Sequence, residues 1–120
     1  MTEQATLKLR LLIGDRLVFG PGKAALLARI AETGSIAAAG RAMGMSYRRA
    51  WALVEEMNAA FRTPLVTSAR GGAGGGGASL TDTGAEVLSA YQSMLARAEA
   101  AAAPEVARIA ALLRDMSEGK

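Results

Sequence analysis

Residues 34–57 most constrain how this chain can fold, because they predict two short helices joined by a tight turn. Ser35 can cap the first helix, since a serine hydroxyl accepts a backbone N–H that has no partner within the helix. We expect this helix to run from Ile36 to Met43 and to end at Gly44, because glycine adopts left-handed backbone geometry without steric cost. Ser46 can then cap a second, longer helix that runs towards Phe61.

Small residues occur where such a helix pair requires them. A helix-turn-helix has a small residue in its first helix, a glycine in its turn and inward-facing apolar residues in its second helix. This sequence has Gly40, Gly44, Ala50 and Leu53 at those places. Small residues matter there because the two helices cross closely and at a steep angle. The spacing predicts a helix-turn-helix, although a solvated helical hairpin would show the same pattern.

The second helix begins with its basic residues, which suits DNA recognition because the first turns of a recognition helix enter the major groove. The guanidinium groups of Arg48 and Arg49 can bind phosphate or guanine edges. Residues 41–70 contain five arginines and two glutamates, so the formal surplus of +3 of the whole chain lies in this stretch. We assign Trp51 to the core. The DNA contacts predicted from the helix pair are Ser35, Ser46, Tyr47, Arg48 and Arg49.

A β-hairpin with a glycine-rich tip is predicted after the second helix. Leu65 to Ala69 has strand composition, residues 78–80 can return beside it, and six of residues 71–77 are glycine. Glycine lets the backbone approach a sugar-phosphate chain closely. A nucleotide-binding phosphate loop needs a lysine that this tip lacks. A helix-turn-helix followed by a hairpin is a winged helix, and the DNA contacts predicted from this wing are Arg70, Gly71, Gly72, Gly74 and Gly75.

The residues before the helix pair predict a small hairpin and a supporting helix. Residues 7–13 and 16–19 have strand character and flank the two-residue turn signal Gly14-Asp15. A helix over residues 23–33 follows Pro21, which is tolerated near a helix start. Its apolar face should pack behind the helix pair, and the predicted members of that face are Leu26, Leu27, Ile30 and Ala31.

The C-terminal part reads as helix from Thr81 or Thr83, with Pro104 marking a break or a fresh start. Its apolar stripe needs a cover, and a second copy of the same helix would supply one in a twofold dimer. Packing back onto the chain's own core is the alternative. We therefore predict a DNA-binding domain over residues 1–80 and a helical dimerisation segment over 81–120. The predicted dimer interface is Val87, Leu88, Tyr91, Leu95, Val106, Ile109, Leu113 and Met116.

Composition excludes several classes of function. The 120 residues include no cysteine and no histidine, which removes disulfides, most zinc sites and the usual general base. We therefore expect neither enzymatic activity nor a cofactor or metal. The apolar runs are too short and too often interrupted by charge to span a membrane. With no recognisable secretory signal, we expect a cytoplasmic protein.

The chain resembles the N-terminal DNA-binding domain of bacterial molybdate-responsive regulators of the ModE type, relatives of the LysR-type winged helices. The resemblance runs from about Leu7 to Tyr91. It is carried by residues 34–36, 44–51, 56–58, 65–66, the glycine-rich tip, Leu80-Thr81 and Gly84. It implies a homodimer on an inverted-repeat operator of genes for metal uptake and use, with Ser46, Tyr47, Arg48 and Arg49 at family DNA-contact positions.

Full-length regulators of this type add C-terminal molybdate-binding domains, whereas the residues after Tyr91 here read as helix. We therefore do not expect this chain to bind molybdate directly. The expected fold class is mainly α with small β-hairpins (α+β), a winged helix-turn-helix with a C-terminal dimerisation helix. The expected function is that of a sequence-specific DNA-binding transcriptional regulator. The alternatives are a winged-helix protein–protein interaction module and a small oxyanion-binding protein that uses the glycine tip as an anion nest.

Overall fold

The computed structural model describes residues 4–69 and 77–114. Its elements are β1 (Leu11–Ile13), β2 (Leu17–Phe19), α1 (Pro21–Thr33), α2 (Ile36–Ala42), α3 (Tyr47–Ala60), β3 (Val66–Ala69), β4 (Gly77–Leu80) and α4 (Asp82–Ala111). Each pair of strands forms an antiparallel hairpin. This is the predicted α+β winged helix. In the described ranges, no helix is long and apolar enough to cross a membrane.

The predicted starts of the central helix pair are confirmed, whereas α2 ends at Ala42, one residue before the predicted Met43. The Ser35 hydroxyl accepts a hydrogen bond from the Ala38 N–H at 3.0 Å, and the Ser46 hydroxyl accepts one from the Arg49 N–H at 3.1 Å. Gly44 lies in the turn with φ of 72° and satisfies the left-handed geometry expected there. These local interactions fix where α2 ends and where α3 begins.

The core lies between α1, α2 and α3 and is closed by the two hairpins. Of the predicted inward face of α1, Leu26, Leu27 and Ile30 are fully buried, whereas Ala31 is exposed. Ala31 lies about 100° further round the helix than Ile30, at the edge of the buried face. The residues that meet this face from α2 and α3 are Ile36, Ala39, Ala50, Val54 and Met57.

The N-terminal hairpin differs from the prediction in its turn and in its length. Ile13 pairs with Leu17 and Leu11 with Phe19, so the loop has three residues, 14–16, rather than two. This register places the Phe19 side chain in the core, where it is 2% exposed. Residues 7–10 lie outside the strand, because this segment packs along α4 and not beside β2: the Tyr91 hydroxyl donates to the Leu9 carbonyl at 2.7 Å.

Helix α4 starts at Thr81, whose hydroxyl accepts from the Gly84 N–H at 2.9 Å, while Thr83 instead bonds the Thr63 hydroxyl. The helix lies so close to the residue before β3 that a Cβ atom on Gly84 would overlap the Leu65 carbonyl oxygen. The predicted break at Pro104 is wrong, since α4 continues through it. Alanines on the N-terminal side of Pro104 favour helix strongly, and the carbonyl of exposed Ala100, which proline leaves unpaired, can accept from water.

Candidate nucleic-acid interface

The first turn of α3 presents three consecutive side chains to solvent. Tyr47, Arg48 and Arg49 are all exposed, and the tyrosine is 57% exposed. They are held in place from the opposite side of the helix, where Ala50 and Val54 are fully buried. A basic helix end on a rigid support can enter a DNA groove without first being ordered, so little conformational entropy is lost on binding.

Tyr47 is positioned by Trp51, which lies one helical turn further along α3. The two rings stack with centroids 6.4 Å apart and planes inclined by 6°. Trp51 is half-buried and packs against the edge of the core, so the assignment of this residue to the core is only partly correct. Its outer face carries Tyr47. The i,i+4 spacing of two aromatic residues is the sequence signal for this contact.

Ser35 lies at the start of α2 and is half-buried. Its hydroxyl oxygen accepts the helix-capping bond from Ala38, and its own N–H donates to the Thr33 hydroxyl at 3.2 Å. The side chain is therefore fixed by the capping bond, and the backbone of the same residue is fixed by the bond to Thr33. A hydroxyl at a helix start is suited to a phosphate contact, as is the positive end of the helix.

The wing is joined to the recognition helix by Asn58, a residue that was not among the predicted site residues. Its side-chain oxygen accepts from the Leu65 and Val66 N–H groups at 2.8 and 3.1 Å, and its amide donates to the Val66 carbonyl at 3.1 Å. Asn58 could have been identified from the sequence, because it is a polar residue that directly follows buried Met57 on the side of α3 that faces the protein. Asn58 sets the position of β3 relative to α3.

Strands β3 and β4 pair from Val66 with Leu80 to Ala69 with Gly77, so the base of the predicted wing is formed. The Ala78 N–H also donates to the Gly34 carbonyl at 2.9 Å, which ties β4 to the end of α1. The wing contacts predicted from the sequence lie outside the described residues; these are Arg70, Gly71, Gly72, Gly74 and Gly75.

The predicted dimer residues fall into two groups. Tyr91 is buried in the core of its own chain, where its ring meets Phe19 edge-on at a centroid distance of 5.3 Å, so it is not free to meet a partner. Val87, Leu88 and Leu95 are partly buried against the same core, and Val106 is half-buried. In the first half of α4, the apolar stripe therefore packs onto the core of its own chain, which is the alternative to a dimer contact.

The end of α4 is different, because large apolar side chains there face solvent. Ile109 is 66% exposed, Leu113 is 62% exposed and Leu112, which was not predicted, is 85% exposed. Met116 lies outside the described residues. An apolar groove of about 220 Å³ also opens between the N-terminal hairpin and the first half of α4, where Leu11, Ile13 and Met94 contribute to its wall.

The three-helix core, the exposed basic end of α3 and the β3–β4 hairpin define a winged helix-turn-helix protein. The sequence profile of the family described as bacterial regulatory helix-turn-helix protein, lysR family, matches residues 23–85, which run from α1 into the start of α4. The chain belongs to this family.

Several curated proteins are similar to part of this chain. The molybdenum-pterin-binding protein MopB of Rhodobacter capsulatus is 50% identical over 72 residues, 60% of this chain and 27% of that protein. The transcriptional regulator ModE of Yersinia pestis is 41% identical over 88 residues, and the DNA-binding transcriptional dual regulator ModE of Escherichia coli K12 is 40% identical over 88 residues; each match covers 73% of this chain and 34% of the relative. The chain thus spans about a quarter to a third of the length of these relatives.

Proposed function

We propose that this chain is a sequence-specific DNA-binding module of a transcriptional regulator and that it has no enzymatic activity. The observation that carries the proposal is the exposed first turn of α3, where Tyr47, Arg48 and Arg49 follow the Ser46 cap on a helix whose opposite side is buried. In this assignment α3 enters the major groove, the two arginines bind guanine edges or phosphates, and Tyr47 contacts a phosphate or a thymine methyl group. Ser35 and the wing bind the flanking backbone.

The regulated genes are proposed to concern molybdenum. The support is the similarity to proteins named as the regulator ModE and as molybdenum-pterin-binding protein MopB. Since the chain matches only about a third or less of those proteins, their full activities do not transfer with the match. We propose that the described part of the chain reads DNA and that it does not itself bind molybdate.

The binding species is proposed to be a homodimer on an inverted repeat. Ile109 and Leu113 at the end of α4 supply an uncovered apolar surface, and a twofold pair of such ends would bury it. Two copies would place their recognition helices in successive major grooves, one helical turn apart. In this organisation residues 1–80, together with the buried start of α4, form the DNA-binding unit, and the remainder of 81–120 forms the dimerisation segment.

The proposal is tested by selecting duplexes from a random library with the purified chain and then measuring anisotropy with the selected and a scrambled duplex. We expect enrichment of an inverted repeat and tighter, salt-sensitive binding to it. Arg48→Ala and Arg49→Ala should each weaken specific binding by about 1–3 kcal/mol where the arginine makes a bidentate base contact. Arg97→Ala, an exposed arginine on α4, is the control and should bind as the wild type does.

The outcomes separate the alternatives. Equal affinity for selected and scrambled duplexes would overturn sequence-specific recognition. No binding to any duplex at low salt would favour a protein-interaction module with a winged-helix shape. The titration is repeated with molybdate, and a molybdate-dependent change in affinity would contradict the assignment of this chain to DNA reading alone.

A further inference from the structure

A basic cleft lies beside the start of α3, between the N-terminal segment and the beginning of α1. It is open, has a volume of about 480 Å³, and its lining includes Arg10, Lys23, Met45, Arg49 and Glu56. Arg49 brings the cleft to the edge of the proposed recognition surface. Arg10 comes from a segment that precedes the region matched by the family profile, which begins at residue 23.

The charges in the cleft leave a positive surplus. Lys23 donates to the Val18 carbonyl at 2.6 Å and pairs with Glu56 at 2.9 Å, with its side chain only 13% exposed. The charges of Lys23 and Glu56 therefore offset each other. Across residues 4–69 and 77–114, ion pairs join Lys23 to Glu56 and Arg29 to Glu32, so neither Arg10 nor Arg49 is neutralised by a described carboxylate. Arg10 and Arg49 thus both line one open cleft, and neither is paired with a carboxylate in the part of the chain that the structure describes.

The position of Arg10 follows from the packing of its stem. Its Cγ lies 3.0 Å from the place where a Cβ on Gly20 would be, and Gly20 is buried at the start of α1. The absence of a side chain at residue 20 lets the N-terminal segment cross directly over this point. The segment is also tied down one residue earlier, where the Leu9 carbonyl accepts from the Tyr91 hydroxyl. Arg10 is therefore held on the side of the molecule that carries Arg49.

We propose that this cleft binds a phosphate group of the DNA backbone next to the segment read by α3, with Arg10 and Arg49 as its cationic ligands. The inference rests on the proposed function and extends the DNA contact surface beyond the helix-turn-helix and the wing. A guanidinium group donates charge-assisted, often bidentate hydrogen bonds to phosphate oxygens, so an arginine is well suited to each of the two non-bridging oxygens of a backbone phosphate. A phosphate of the DNA backbone would bring such oxygens to the cleft when α3 is bound to DNA. A free oxyanion would bring them in the absence of DNA.

The test measures the dependence of affinity on salt for Arg10→Ala. Each neutralised phosphate contributes about 0.9 to the slope of log affinity against log salt. Removing one such contact should lower the slope by about 0.9 and weaken binding about eightfold at 0.1 M salt, equally for selected and scrambled duplexes. Arg10→Lys keeps a charge and should retain most of the slope. Arg16→Ala removes the same charge from the exposed turn between β1 and β2 and should leave the slope unchanged.

An unchanged slope in Arg10→Ala, or equal losses in Arg10→Ala and Arg16→Ala, would overturn the assignment. A loss confined to the selected duplex would also overturn it, because a phosphate contact carries no sequence information. Circular dichroism melts establish that the variants fold. Since the slope is measured on scrambled DNA as well, it tests Arg10 even where sequence-specific recognition fails.

A second arm distinguishes the two sources of oxyanion. Inorganic phosphate and molybdate are titrated separately into the DNA-free wild-type chain by calorimetry. We expect no saturable heat in either titration. Saturable heat that disappears in Arg10→Ala would assign the cleft to a free oxyanion and overturn its assignment to the DNA backbone.

Discussion

Gly40 and Ala50 face each other where α2 and α3 cross, and a Cβ atom placed on Gly40 would lie 3.0 Å from the Ala50 Cβ. Both residues are buried, and Ala50 is fully so. The Ala50 Cβ is attached directly to the backbone and cannot rotate away. The separation of the two helices, and with it the angle at which α3 is presented, is therefore fixed by the absence of a side chain at residue 40.

Gly40→Ala should consequently destabilise the fold despite the better helix propensity of alanine. Overpacking costs about 1–3 kcal/mol, and the propensity gain returns up to about 1 kcal/mol. We expect a net loss of about 1 kcal/mol in urea unfolding. The matched control is Gly22→Ala in α1, where no atom lies within 4 Å of the added Cβ and no loss is expected. A Gly40→Ala variant as stable as the control would contradict the steric role of this contact.

The link between the recognition helix and the wing predicts the effect of changing Asn58. Asn58→Ala would leave the N–H groups of Leu65 and Val66 without acceptors, and both residues are at most 3% exposed. We expect a loss of about 2–4 kcal/mol in the free energy of unfolding, since each buried unsatisfied group costs about 1–3 kcal/mol. Chemical denaturation measures it.

Two further variants test this interpretation of Asn58. Asn58→Asp keeps the acceptor for both N–H groups and, when its carboxyl is protonated, can also donate to the Val66 carbonyl, so in unfolding measured at acidic pH its loss should be smaller than that of alanine. Glu55→Ala, an exposed position on the same helix, should change stability by less than about 0.5 kcal/mol. Equal losses in the alanine and aspartate variants would show that the two accepted hydrogen bonds are not the stabilising ones.

Ser46 and Asn58 differ in how far along the chain their hydrogen bonds reach, and this difference explains which parts of the structure could be predicted from the sequence. The bond of Ser46 reaches three residues along the chain, so composition and spacing alone predicted the start of α3. The bond of Asn58 to the Val66 carbonyl spans 8 residues and that of Tyr91 to the Leu9 carbonyl spans 82. Such bonds depend on how elements pack, which a single sequence does not display. The continuity of α4 through Pro104 has a local cause instead, because the alanines before the proline favour helix strongly enough to outweigh the interruption that a proline predicts.

Tyr91 joins α4 to the N-terminal segment, and Tyr91→Phe isolates the contribution of its hydroxyl. The ring can keep its edge-on contact with Phe19, while the bond to the Leu9 carbonyl is lost. We expect a loss of about 1 kcal/mol in stability and faster amide hydrogen exchange in residues 7–13. Tyr47→Phe is the control, since that exposed hydroxyl lies on the recognition surface. Equal exchange rates in the two variants would mean that Tyr91 does not hold the segment.

The uncovered end of α4 gives the prediction on assembly. Ile109 lies in the last turn of α4 and Leu113 lies two residues beyond its end, and both are more than half exposed, so they supply exposed apolar area at the same end of the helix. Placing charges there should prevent a twofold contact without disturbing the core. Sedimentation equilibrium of the Ile109→Lys/Leu113→Lys double variant should show a monomer where the wild type is a dimer. The variant should also lose its preference for an inverted repeat over a single half-site, while its affinity for scrambled DNA does not fall, since the added lysines are positive.

Ala111→Lys places a charge about 200° round the helix from Ile109 and should leave the dimer intact. A monomeric wild type, or a double variant that still sediments as a dimer, would exclude this surface as the interface and leave the groove beside the N-terminal hairpin to be tested in the same way, with Leu11→Lys.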